Sequence, residues 1–156
     1  MFNLTPGCSP CNAHLKGEKH FTVSTHINPF QTKFDDYFQF RLKDIVFSSK
    51  TDVSIVIENI KMYSRSSIND FKIEERYNDQ NTKVKVFNLV EGIKNRSPVI
   101  QKSLLQQFSG LFGKLDNINR TLLKSQGVPI EAKQINDFEM GKMKRDICKQ
   151  MGLIQS

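Results

Sequence analysis

The feature that most constrains this chain is a helical stripe between Ser97 and Gln126. Leu104, Phe108, Leu111, Leu115, Ile118 and Leu122 follow one another at steps of four, three, four, three and four. At that spacing side chains share one face of a helix. The ends of the segment are marked as well. Ser97 offers a capping hydroxyl, Pro98 suits a first turn where no amide donor is needed, and Gly127 with Pro129 supplies a stop. Burying six such side chains is worth at most about 1.5–3 kcal/mol each, so the helix must lie against something. The rest of the fold is the simpler partner. A second copy is the other, because the stripe keeps a heptad for about three repeats, near the lower limit for a coiled coil. An isolated helix carrying Gly110 and Gly113 would be marginal in water, so a helix that left the fold would self-associate.

Upstream, alternation replaces that period. Phe21, Val23, Thr25 and Ile27 alternate with Thr22, Ser24 and His26. Phe38, Phe40 and Leu42 share a parity, whereas Ile45 and Phe47 take the opposite one, a shift that a bulge or break near Asp44 explains. Val53 to Tyr63 is the most β-branched stretch of the chain. Phe71 to Tyr77 alternates again, Asn78 to Asn81 reads as a hairpin turn, and Val84 and Val86 share a face of the run from Lys83 to Val90. Five or six strands with short polar connections predict an antiparallel sheet forming a small sandwich or barrel. The expected architecture is α+β: an irregular arm over 1–20, an antiparallel β domain over 21–92 and a two-helix C-terminal module over 97–156. In that module Pro129 opens the second helix. Ile135 and Phe138 lie on one side of it and Met140, Met143, Ile147, Met151 and Ile154 almost opposite. Either this helix breaks near Gly141, or its two halves meet different surfaces.

The formal net charge is +7, and it is unevenly placed. Residues 95–156 hold ten Lys and Arg against five Asp and Glu, whereas residues 1–94 hold thirteen against eleven. Lys142, Lys144, Arg145 and Lys149 are therefore the candidate phosphate contacts of a nucleic-acid-binding face, and the competing reading is a solvated surface whose lysines keep it soluble. No apolar run approaches the ~20 residues of a membrane span. No basic start followed by an apolar block marks a leader. The expectation is a soluble intracellular or virion protein with no transmembrane segment. Cys8, Cys11 and Cys148 do not make a disulfide framework. Abundant Asn, Lys, Ile and Phe with little Ala suits AT-rich genomes, many viral ones among them.

Cys8, Cys11, His14 and His20 are the concentration of metal-ligand types, with His26 a further step on, and four such groups can hold zinc. The gap from Cys11 to His14 is too short for a Cys2His2 finger, and the alternative is an arm with two thiols. No other cofactor is expected. The chain has no phosphate-cradling glycine loop, no H-E-x-x-H and no G-x-S-x-G. Asp35 and Asp36, like Glu74 and Glu75, are adjacent, and on a strand adjacent carboxylates point apart. The expected function is a non-enzymatic interaction or assembly protein. It forms a homo-oligomer or larger assembly through Leu104, Phe108, Leu111, Leu115, Ile118 and Leu122, with nucleic-acid binding as the alternative.

Overall fold

The computed structural model describes residues 10–28, 31–95, 103, 106–107 and 115–154, with backbone alone at 10–12 and 115–118. The expected cap at Ser97 and the stripe positions Leu104, Phe108 and Leu111 lie outside the described residues. A π-helical turn at Pro10–Lys16 and a looped segment lead to β1 (Phe38–Leu42) and β2 (Ile55–Asn59). Three helices follow, α1 (Ser66–Asp70), α2 (Ile73–Tyr77) and α3 (Gln80–Lys94), then α4 (Leu115–Ser125), a 3-10 segment at Ala132–Asp137 and α5 (Gly141–Gln150).

The five- or six-stranded sandwich or barrel is overturned. Among the described residues the sheet has two antiparallel strands in the order β1-β2, with Phe38 opposite Asn59 and Leu42 opposite Ile55. The segments read as strands from Phe71 to Tyr77 and from Lys83 to Val90 are helical instead. The supposed hairpin turn between them is a helix start: the Asp79 carboxylate accepts the amides of Asn81 at 2.8 Å and Thr82 at 3.2 Å and so caps α3. Thr82, Val86, Leu89, Val90 and Ile93 are buried, a helical spacing that β-branched residues had disguised as alternation. The run from Phe21 to Ile27 forms turns held by His26 N–H donating to the Thr22 carbonyl at 2.8 Å. The parity shift near Asp44 is real, because β1 ends at Leu42 and the chain bends away.

One face of the ribbon carries Phe38, Phe40, Leu42, Ile55 and Ile57, all buried. They share a core with Val53, Ile68, Val86, Val90, Met143 and Ile147. A second cluster joins Leu89 and Ile93 of α3 to Leu123 of α4, Val128 and Cys148. The single helix expected to open at Pro129 is not formed: a 3-10 segment covers Ala132–Asp137 and α5 starts only at Gly141, so the interruption falls where one of the two expectations put a break. Met140 takes a left-handed conformation at φ 55, and a Cβ on Gly141 would lie 2.2 Å from the Ile135 carbonyl oxygen. Glycine is therefore required where α5 meets the preceding 3-10 segment.

The C-termini of α4 and α5 end in the same way. Gly127 and Gly152 have φ of 69 and 73. Val128 N–H reaches back to the Leu123 carbonyl and Leu153 N–H to the Cys148 carbonyl, at 3.0 and 2.9 Å. With the Gly127-to-Lys124 and Gly152-to-Lys149 bonds, both 2.9 Å, each end is a Schellman motif. The stop expected at Gly127 is thus in place. No helix among the described residues is long and apolar enough to cross a membrane.

Candidate functional site

Two surfaces bear on association, the edges of the ribbon and the face of α4. The strand amides point alternately in and out. Lys43 N–H donates to the Ser54 carbonyl at 2.9 Å and Ile60 N–H to the Tyr37 carbonyl at 2.7 Å, so odd-numbered β1 residues face β2 and the backbone groups of Phe40 and Leu42 face outward. Such groups usually offer a template to another strand. Here side chains take them. Phe40 N–H donates to the buried Asp146 carboxylate at 3.0 Å. Gln150 accepts from Leu42 N–H at 2.8 Å and donates to its carbonyl at 2.9 Å.

The opposite edge is closed in the same manner. Asn78 accepts from Ile55 N–H at 2.9 Å and donates to the Ile55 carbonyl at 2.7 Å. Glu74 accepts from Ile57 N–H at 2.6 Å. Arg65 donates to the Ile57 carbonyl and, at 3.1 Å, to Glu74. Both edges therefore use a polar pair four residues apart to meet strand residues two apart. Four helical residues rise about 6.0 Å and two strand residues about 6.6–6.8 Å, so the two pitches nearly match. A polar i, i+4 pair beside an apolar stripe, as Asp146 and Gln150 sit beside Met143 and Ile147, is the signal that marks such a seal, and the sequence reading passed over it.

On α4 the residue that fills the core is Leu123, 2% exposed. It lies one position off the stripe, at about 100° around the helix. Leu122 is half-buried. The positions of Leu115 and Ile118 share the face of Leu122 by helical spacing rather than that of Leu123.

The four candidate phosphate contacts are placed on α5 together, but they differ in surroundings. Lys142 is 2.8 Å from Asp146 and 3.5 Å from Asp35, and its side chain is 18% exposed. Arg145 Nε donates to the Ile130 carbonyl at 3.4 Å. Lys144 Nζ lies over Gly127, 3.2 Å from the place a Cβ would take. Burial first, and then the charge of Arg145, lowers the Lys149 pKa from its ordinary value.

Of the metal-ligand set, Cys8 and the Cys11 side chain lie outside the described residues, and His14 and His20 are exposed. Among the described residues no three His, Cys, Asp or Glu gather to hold a metal ion. His26 is buried instead. Its ring stacks on Phe21 at 3.7 Å between centroids, its Nε2 lies 2.9 Å from Asp70 and its Nδ1 2.8 Å from the Thr25 hydroxyl. Lys19 pairs with the other Asp70 oxygen at 2.6 Å. The hydrogen bonds from Lys19 and then His26 hold the Asp70 carboxyl below its ordinary pKa. This cluster ties the looped N-terminal segment to α1. Cys148 is fully buried in the second core cluster. Comparison with protein families, curated proteins and solved structures finds no match to this chain.

Proposed function

We propose that this chain is a non-enzymatic interaction and assembly protein that self-associates through the helical stripe ending at Leu122, a small structural component of the virion-associated kind its composition suggests. The observation that carries the reading is the division of labour at α4. Leu123 fills the intramolecular core, and by helical spacing the positions of Leu115, Ile118 and Leu122 share a face one residue step away from it. A heptad stripe offset from the core contact is suited to a second helix of the same kind. The closed ribbon edges support the same choice, since edge pairing is the common alternative route to association and side chains already occupy both edges.

The test is solution mass by light scattering across concentration, at low and high salt, with bound nucleic acid followed by absorbance ratio. Self-association through an apolar stripe predicts a nucleic-acid-free oligomer that persists in high salt. A monomer that carries nucleic acid at low salt and sheds it at high salt overturns this reading in favour of the cationic face of α5.

A further inference from the structure

An open cleft of about 570 Å³ lies between the ribbon, α2, the start of α3 and the 3-10 segment before α5, within the ~300–1,000 Å³ range of small-molecule sites. Phe40, which is buried, lies at its base. Phe34 is 5.7 Å from that ring and nearly parallel to it at 27°, and Tyr77 is 4.5 Å from it. Ile73, Ile135 and Met140 continue the lining. Phe34, Tyr77 and these three are each half-buried, so every one of them keeps apolar surface in contact with water.

The charges of the lining select no ion. Asp35 and Asp79 stand against Arg76 and Lys142. Lys142 lies 3.5 Å from Asp35 and 2.8 Å from Asp146. Asp79 accepts the Asn81 and Thr82 amides and the Thr82 hydroxyl, and it faces the charge of Lys85. An ion entering here would lose hydration without gaining an unmatched counter-charge, a cost that an uncharged apolar body does not meet. The backbone around the cleft is strained as well. Lys72 and Met140, at φ 50 and 55, are the non-glycine residues with positive φ among the described residues. Met140 lines the cleft, and Lys72 directly precedes Ile73, which lines it too. Left-handed conformations at bulky residues are costly and gather at ligand sites.

We propose that this cleft binds a small uncharged aromatic molecule of one or two rings, its flat face against Phe34 and Tyr77. Aromatic pairs gain beyond the area they bury, so a flat aromatic body is preferred to a saturated one of the same skeleton. The site goes beyond the assembly reading and does not depend on whether the chain self-associates.

Titrating the full chain with four probes built on one skeleton tests the assignment: 2-naphthol, its saturated counterpart decahydro-2-naphthol, the cation 2-naphthylmethylammonium and the anion 2-naphthoate. The aromatic alcohol is expected to bind with a millimolar or lower Kd, and the other three about fivefold more weakly. Phe34→Leu keeps an apolar side chain while removing a ring. It should weaken 2-naphthol about fivefold and leave the saturated alcohol unchanged, with circular dichroism confirming the fold. Asn136→Trp, at an exposed position of the lining, adds bulk to the cleft without touching the core and should weaken both alcohols about fivefold. Equal affinity for the saturated alcohol overturns the proposal, as do a preference for either ion and the absence of saturable 2-naphthol binding at millimolar concentration. Unchanged 2-naphthol affinity in the folded variants overturns the placement in this cleft, and a Phe34→Leu loss that extends equally to the saturated alcohol overturns the role of that ring.

Discussion

The ribbon and α4 solve opposite problems. A two-stranded sheet leaves half of its backbone groups pointing outward, and such a hairpin is marginal on its own. In this protein Asp146 and Gln150 close one edge, and Glu74, Asn78 and Arg65 close the other. Among the described residues the strands are finished without a third. On α4 the described residue in the core is Leu123, and by helical spacing Leu122 lies about 100° around the helix from it. The ribbon shows how side chains that imitate a neighbouring strand can finish a two-stranded sheet, and under the proposed function association falls to the helix instead.

The largest expected effect comes from breaking the joint that positions the β1 seal. Gly141→Ala would drive a Cβ into the Ile135 backbone, and fixed backbone cannot swing aside as a side-chain tip can. A loss of about 4 kcal/mol in denaturant unfolding is expected; an unchanged midpoint would mean that α5 docks in another way. Removing the seal itself comes next. Asp146→Ala leaves the buried Phe40 amide without its acceptor and Lys142 with only the more distant Asp35, for an expected loss of about 3 kcal/mol. Asp146→Asn, which keeps an acceptor for the amide, should recover part of it.

Asn78→Ala opens the other edge at Ile55 and should cost about 1–3 kcal/mol. It also exposes strand backbone, so concentration-dependent association that binds an amyloid dye should appear in the variant and not in the parent. If the variant stays as free of such association as the parent, the edge is protected by something other than Asn78.

The smallest effect separates the N-terminal arm from the core. Asp70 has a folded pKa below its ordinary value, first through Lys19 and then His26. A depressed carboxylate contributes stability above its unfolded value, near pH 3.9, and loses that contribution as pH falls through the folded value. Asp52 and Asp79 are lowered too, so acid unfolding is a shared property. Asp70→Asn should lower stability slightly at neutral pH and make the decline below about pH 4 shallower. An identical acid profile in parent and variant would remove the Asp70 cluster from the account.

How much of this was legible depended on whether the signal was local. The stop at Gly127 was readable because a glycine at positive φ is a one-residue requirement, and the break near Gly141 was one of two readings because a glycine inside a helical pattern is a local signal too, although here the requirement is the close approach of the Ile135 backbone. Val53 to Tyr63 correctly contained a strand, since β-branched residues filled every buried position of β2. The same residue preference misled at Val84 and Val86. There the deciding feature was Asp79 three residues before Thr82, a helix cap that also resembles a turn. The closed edges were the least legible, because Asp146 and Phe40 are far apart in sequence and a hydrogen bond between them leaves no periodic trace. The offset of Leu123 from Leu122 was hidden for a related reason. Both are leucines, and only the packed helix distinguishes which one the core takes.

The most direct test of the central claim is the solution mass of Leu122→Asp beside that of the parent chain, by light scattering at matched concentrations and high salt. The parent is expected to be oligomeric and the variant a monomer with the parent's circular dichroism, because Leu122 lies off the core position held by Leu123. A variant that keeps the parent's oligomeric mass while remaining folded would contradict it and would return the search for an interface to another surface of the molecule.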